Sequence, residues 1–468
     1  MKKINISFFL NGEFIEKKLD PESRVLDLLR DTLWMKGTKE GCGDGDCGAC
    51  TIALAYPINN KIRYIAVNSC LMPVGKIQGC SLITIEGISK DNNDLNLIQQ
   101  AMVDQHGLQC GFCSPGISMN LFALLANHEI PSYNDIINAL TGNICRCTGY
   151  EGIRDAAKQI LSYLNENPSY DIVCKKLRAI EEKIKHMQSS INEGDYILAA
   201  NIQELKKALT DNNDAMIICG CSDISAKTHL TKEDLVKVID VSKVKEMTII
   251  DKNNNALEIG AACSLSDIIN SKIVKETAPE LSKGLKEIAA IQVRNLATLA
   301  GNIANASPIA DGVVLLMAYN AQVVIISKND KKIVSIRNFY KGYKKTILKD
   351  GDVISKIIIP KESLKKEYHM EKTSKRNAVD IACVNSCASY IKEKNKIIDF
   401  EIAFGGIAET VVLEELKTIN NNADIEILAR NISQKYNPLS DVRGSNLYRS
   451  KLIKNHIIKH FAFINEEL

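Results

Sequence analysis

Residues 42–50 place Cys42, Cys47 and Cys50 at the spacing C-x4-C-x2-C, and Cys70 follows after nineteen further residues. Four thiolates at this spacing ligate a [2Fe–2S] centre. Two irons bridged by sulfide need thiolates aimed inward from a short loop. The glycines at 41, 43, 45 and 48 allow the tight turns and expose N–H groups to an anionic cluster. Zinc is the rival metal, but its sites favour paired C-x2-C or Cys/His knuckles.

A second set comes from "GLQCGFCSPG" and "GNICRCTGY". Cys110 and Cys113 are two residues apart, and Cys145 and Cys147 follow a 31-residue gap with one residue between them. Thiols that close seldom pair as a disulfide. They can ligate one iron if Arg146 turns outward. A helix starting at Pro115 would turn its positive end toward the anionic centre. On spacing alone a four-cysteine zinc site stays open. The neighbouring first set favours two redox centres in tandem.

The elements that position these residues follow from the pattern. Residues 1–83 predict a small mixed sheet with strands at 3–10, 13–19, 51–56, 62–68 and 82–86, and Asn11-Gly12 as a hairpin turn. "RVLDLLRDTLW" predicts a helix. Residues 84–165 are helical, with Ser114-Pro115 starting one helix and Ser132 with Asp135 capping another. Residues 166–192 are a charged amphipathic linker expected on another domain's surface. Residues 193–360 alternate strand and helix, including "AMIIC", "LVKVIDV", "ALEIGAAC", "AQVVIIS" and "DVISKIIIP". Residues 361–468 form a last α+β piece.

The chain has 468 residues, 45% hydrophobic and 25% charged, with net charge +3. That length predicts several domains. The small charge gives no reason to expect nucleic acid as a partner. No apolar run reaches the roughly 18 residues of a membrane helix, and the N-terminus does not read as a signal peptide. We therefore expect a cytoplasmic protein, whose fifteen cysteines need an explanation other than disulfides. Cys80 matches no ligand position and is expected in a core. The seven histidines read as dispersed packing or surface residues, with His106, near Cys110, the one to test.

The order C-x4-C-x2-C…C, then "QCGFCSPG", then "GNICRCTGY", resembles the iron–sulfur half of the molybdenum hydroxylases, the xanthine dehydrogenase and aldehyde oxidase family. The resemblance implies a β-grasp plant-type ferredoxin domain (1–83), a four-helix [2Fe–2S] domain (84–165), a two-part α+β FAD-binding domain (193–360) and a C-terminal α+β flavoprotein domain (361–468). It makes Cys42, Cys47, Cys50, Cys70, Cys110, Cys113, Cys145 and Cys147 the ligands of two [2Fe–2S] clusters.

"AMIICGCSDISAK" reads from its residues as strand, glycine turn and helix. Gly220, Cys221, Ser222 and Asp223 can offer N–H groups and a hydroxyl to a diphosphate, though an ordinary strand–helix connection has the same pattern. "IAAIQVRNLATLAGNIANASPIAD" resembles the family's flavin segment at Thr298, Gly301, Asn302, Ser307, Pro308 and Asp311. The implied FAD contacts are Ile217, Ile218, Cys219, Gly220, Cys221, Ser222, Asp223, Ile224, Ile288, Thr298, Leu299, Ala300, Gly301, Asn302 and Asp311. Ala300 stands where the family often has Gly and is expected to crowd a turn needing positive φ. Lys372, Arg376, Asp380 and Gly405-Gly406 match the last domain.

The family implies an electron-transfer subunit of a xanthine dehydrogenase-like enzyme. Electrons would pass from a large molybdopterin-binding partner through two clusters to FAD and on to NAD⁺, in a hetero-oligomer without membrane or nucleic acid. The same module in an aldehyde, nicotinate or other heterocycle hydroxylase is the alternative, and a non-enzymatic iron–sulfur redox sensor is another.

Overall fold

The computed structural model describes residues 2–466 except 59, 90–93, 128–129, 234–235, 394–395 and 420–421. It divides into two compact units. The first holds residues 1–200, 215–243 and 290–296, and the second holds 201–214, 244–289 and 297–468. The α+β multidomain fold expected from the sequence is present.

In the first unit, β1 (Ile4–Leu10), β2 (Glu13–Leu19), β3 (Thr51–Ile58), β4 (Lys61–Asn68) and β5 (Ser81–Ile83) form a sheet of order β2-β1-β5-β3-β4. Asn11 and Gly12, at φ 51° and 87°, close the β1–β2 hairpin. Alternation in β1 buries Ile4, Ile6 and Phe8. The expected helix over 24–34 is shorter. Val25–Asp27 is α-helical, and Leu28–Thr32 widens into a π turn.

Helices Leu97–Asp104, Ser114–Leu125, Tyr133–Leu140 and Glu151–Glu166 follow. Ser132 and Asp135 form the expected capping box. Ser114, not Pro115, opens its helix, and Cys113 is the cap residue. The stretch after 166 carries two short helices and packs Ile180 and Ile184 against Phe9. A second sheet of this unit has the order β6-β7-β9-β8, from β6 (Ile191–Glu193), β7 (Tyr196–Leu198), β8 (Met216–Ile218) and β9 (Val238–Asp240). The strand expected over 235–241 is therefore shorter, and its Leu235 lies outside the described residues.

In the second unit, β10 (Ile250–Lys252), β11 (Ala256–Gly260), β12 (Gln322–Ile326), β13 (Lys331–Ser335) and β16 (Val353–Pro360) make a sheet of order β10-β11-β16-β12-β13. β14 (Tyr340–Gly342) and β15 (Lys345–Thr346) form a ribbon. The last piece is an antiparallel sheet of β17 (Glu367–Thr373), β18 (Val384–Glu393), β19 (Lys396–Gly405) and β20 (Val412–Ile419), with helices Asn422–Lys435 and Asn446–Glu466.

Here the histidines are not dispersed. His369 Nδ1 meets His460 Nδ1 at 2.8 Å, and Ser386 Oγ joins His460 Nε2 at 2.7 Å to His456 Nδ1 at 2.8 Å. Thr373 Oγ1 meets His456 Nε2 at 2.8 Å. β17 supplies His369 and Thr373, β18 Ser386 and the last helix the other two, so a polar chain fills an otherwise apolar layer. His106 is exposed, at φ 53°.

Candidate functional site

The loop 41–50 carries Gly43, Gly45 and Gly48 at φ 77°, 92° and 68°. Gly41 serves by its missing side chain, because a Cβ there would lie 2.7 Å from Cys47 Sγ. Cys47 N–H donates to Cys42 Sγ at 3.3 Å, and the Cys50 and Cys70 sulfurs are 3.3 Å apart and buried. In the second set Cys110 and Cys147 approach to 3.2 Å, and Cys113 hydrogen-bonds Cys145. Among the described residues no three such side chains gather about one ion position. The thiols meet two by two. A two-iron centre takes two thiolates per iron, so this donor set fits it better than a single tetrahedral ion.

Each pair holds one acidic and one reluctant thiol. Cys47 falls to about 6 because the Cys42 thiol hydrogen-bonds its thiolate, and Cys42 is pushed up in return. Cys70 donates to Cys50 in the same way, lowering Cys50 and raising itself. Cys110 is lowered by the Phe112 N–H and then by Cys147, which rises. Burial pushes Cys113 up to about 12. Burial also opposes ionisation of Cys145, yet Thr148, 3.1 Å from its sulfur, brings it down to about 7. In each pair one thiol is thus the readier to ionise and to take a metal.

The two loops are joined by hydrogen bonds the sequence did not announce. Ile144 N–H donates to the Cys47 carbonyl at 3.0 Å. Asn143 Nδ2 donates to the Gly48 carbonyl at 3.1 Å, while Asn143 Oδ1 accepts from Asn120 at 2.7 Å and from Gln292 at 3.0 Å. The peptide before Cys145 therefore touches the peptide of Cys47. Tyr150, at φ 68°, turns back to accept the Cys145 N–H at 2.9 Å. Asn143, Thr148 and Tyr150 lie inside the quoted motifs, but nothing in their spacing revealed these roles.

The expected flavin residues divide between the units. In the first, Ile217 and Ile218 end β8, Cys219 and Gly220 make the turn, and Cys221 sits at φ 62° before the helix Ser222–Thr231, which holds Ser222, Asp223 and Ile224. In the second, Thr298 Oγ1 accepts the Gly301 N–H at 3.0 Å and caps the helix Leu299–Ala304. Ala300 lies inside that helix and shows no positive φ, so the expected crowding does not arise: the segment is helical there.

Asp311 is buried, with Lys372 Nζ at 2.8 Å and Asn385 Nδ2 at 2.5 Å. Burial raises its pKa although Lys372 opposes the rise. Asn302 Oδ1 and Asn385 Oδ1 are buried without a partner among the described residues. A Cβ on Gly312 would meet Asn302 Oδ1 at 2.7 Å, so Asn302 stands beside Asp311. Orphaned acceptors beside an ion pair fit a polar cofactor edge that would donate to them. Arg376 and Asp380 pair with each other in a surface loop, while Gly406, at φ 84°, bonds the Pro308 carbonyl. Leu299 opens the helix Leu299–Ala304 and is buried, and Ile288 N–H donates to the Leu285 carbonyl at 3.3 Å.

Three domain families match. Residues 84–158 match a [2Fe–2S] binding domain, 187–362 the FAD binding domain in molybdopterin dehydrogenase, and 369–463 the CO dehydrogenase flavoprotein C-terminal domain. These three domain types, in this order, are typical of molybdenum hydroxylases. Among individual relatives, xanthine dehydrogenase of Calliphora vicina is 29% identical over 98% of this chain and 39% of its own length. That of Emericella nidulans is 31% identical over 87% and 34%. The chain thus spans well under half the length of these relatives. Quinoline 2-oxidoreductase from Pseudomonas putida 86 shares the fold, with TM-score 0.53 and 24% identity over 57% of this chain and 94% of the matched chain. A carbon monoxide dehydrogenase from Hydrogenophaga pseudoflava gives 0.53 and 23%, over 57% and 95%.

Proposed function

We propose that this chain is the small, electron-transfer subunit of a xanthine dehydrogenase-like molybdenum hydroxylase, of the bacterial two-subunit kind. It works in the cytoplasm and delivers electrons to NAD⁺. The observation that carries this reading is the set of eight cysteines in four close pairs, on two loops bonded to each other at Cys47 and Ile144. Cys42, Cys47, Cys50 and Cys70 would hold one [2Fe–2S] cluster, and Cys110, Cys113, Cys145 and Cys147 the other. Bound, the clusters would carry single electrons and FAD would gather two for a hydride acceptor.

The chain's own part is placement and tuning. The buried Cys50–Cys70 pair excludes water from one side of its site, while the second loop stays open. Around exposed Cys110 and Cys147 the side chains of Leu108, Phe112, Ile144 and Tyr150 are also exposed. An apolar rim about a redox site suits a docking partner, here the large molybdopterin-binding subunit. Among the described residues no helix is long and apolar enough to cross a membrane. The substrate is chosen on that partner, so an aldehyde or another heterocycle remains the second reading; aldehyde oxidase 3 of Rattus norvegicus is 28% identical over 98% of this chain.

Two measurements test the proposal. NADH added anaerobically to the purified holoprotein should bleach the flavin and both clusters. Failure to reduce any centre would remove NAD⁺ as acceptor and favour a sensor. Replacing Cys147 by Ser should erase one of two iron–sulfur signals in electron paramagnetic resonance and spare the other. Retention of both signals would refute the ligand assignment.

A further inference from the structure

Lys76 sits in the turn Val74–Ile77 of the ferredoxin-like domain, and its side chain is 7% exposed. Its ammonium donates to the Cys219 carbonyl at 2.5 Å, to Asp240 Oδ2 at 3.0 Å and to Ser242 Oγ at 2.9 Å. Its three N–H donors therefore have three partners. Asp240, fully buried, also accepts from Tyr196 Oη at 2.8 Å and from the Ser242 N–H at 2.9 Å. Gly75 makes room for this, because a Cβ there would lie 2.4 Å from the Tyr196 ring.

These bonds fall at the carboxyl ends of β8 and β9, which are parallel. Open parallel sheets receive ligands at that end. In a trans peptide the carbonyl and the next N–H point in opposite directions. A Cys219 carbonyl held on Lys76 therefore turns the Gly220 N–H away from the ammonium. Cys221 then adopts φ 62°, and the helix Ser222–Thr231 begins with no side chain capping its first N–H groups. Because Asp240 neutralises Lys76, the lysine acts by direction rather than by charge.

We propose that Lys76, a residue of the iron–sulfur domain, is a positioning residue that aims the Gly220 N–H and the uncapped helix start at the diphosphate of FAD. This rests on the FAD reading of residues 217–224. It makes the flavin loop dependent on the cluster-bearing domain for its shape.

The test uses the full chain with both mutations Lys76→Met and Asp240→Asn. Removing both charges leaves no unpaired buried ion, and the amide that replaces the carboxylate can still accept the Ser242 N–H at its oxygen while its NH2 donates to Tyr196 Oη, which can accept as well as donate. After flavin is stripped, FAD should rebind about tenfold more weakly, the loss of one aligned charge-assisted hydrogen bond. Iron and acid-labile sulfide per chain should match wild type. Ser242→Ala loosens the same strap without touching the Cys219 carbonyl, and should leave FAD affinity within about twofold. Equal weakening in Ser242→Ala, or unchanged affinity in the double variant, would reduce Lys76 to a general strap and overturn the inference. Should the double variant lose its iron, Lys76→Gln, a shorter neutral donor, is judged by the same two readouts. Wild-type protein that takes up no FAD sinks the flavin reading and this inference together, whereas a wild type that binds FAD beside an unaffected variant sinks this inference alone.

Discussion

If the proposed cluster assignment holds, Gly48→Ala should abolish both iron–sulfur signals, although Gly48 lies beside Cys47 of the first loop only. Its φ of 68° is left-handed, which costs a residue with a side chain about 1–2 kcal/mol. The added Cβ would lie 2.2 Å from the Gly142 carbonyl oxygen and 2.6 Å from Asn143 Nδ2. Gly142 has no room to retreat, because Gln292 Oε1 and Ala290 Cβ stand 2.3 and 2.5 Å from its own Cβ position. Nor has Gly48, whose carbonyl lies 2.2 Å from the Cβ position of Gly116. Overpacking costs about 1–3 kcal/mol more, and together these are a large part of a domain stability of roughly 5–15 kcal/mol. Iron per chain should fall by more than half, with both resonance signals lost. Gly111→Ala is the control. Gly111 has φ 76° beside Cys110, but its Cβ position meets no atom of the described residues within 4 Å, so both signals should survive there. A Gly48→Ala protein that keeps both clusters would show that the loops do not depend on each other.

That dependence marks the limit of what the sequence disclosed. Cysteine spacing is local chemistry, so the two sets could be read directly. Asn11-Gly12 and the Ser132–Asp135 cap were legible for the same reason, since each acts within four residues. The buried amides Asn120, Asn143 and Gln292 are far apart in the chain, and Asn or Gln at such positions looks like ordinary loop composition. Lys76 was equally silent, because lysine is expected on surfaces and its partners Cys219 and Asp240 lie more than 140 residues away. Ala300 misled in the other direction. A family habit of glycine suggested a left-handed turn, but the Thr298 cap fixes a helical one. The three buried histidines come from β17 and the last helix, and no periodicity connects those segments.

Acidification should unfold the last α+β piece through those histidines. His456 and His460 are buried, and burial first, then neighbouring charge, lowers both: His456 to about 3 and His460 well below its usual value. Neutral rings satisfy the chain Thr373–His456–Ser386–His460–His369 in either direction, each nitrogen taking one role. A proton added to His456 or His460 instead places a charge inside a buried layer, and that desolvation is what opposes it. Lys459 adds repulsion, and Glu371, 3.6 Å from His369 Nε2, offers the chain's acidic neighbour. The sign follows from linkage. The folded pKa is depressed, so the unfolded chain binds protons first as pH falls. Stability is complete above about 6.5 and drains away toward about 3. At roughly 1.4 kcal/mol per pH unit, His456 alone accounts for a loss of order 5 kcal/mol. His456→Gln removes that titration while leaving Ser386 or Thr373 short of a partner, at a cost of about 1–3 kcal/mol at neutral pH. Urea titrations of the full chain at pH 7.5, 6, 5 and 4 should therefore show wild type losing stability steeply and the variant, weaker at pH 7.5, losing it less steeply. Parallel curves for the two proteins would mean that the acid sensitivity resides elsewhere in the chain.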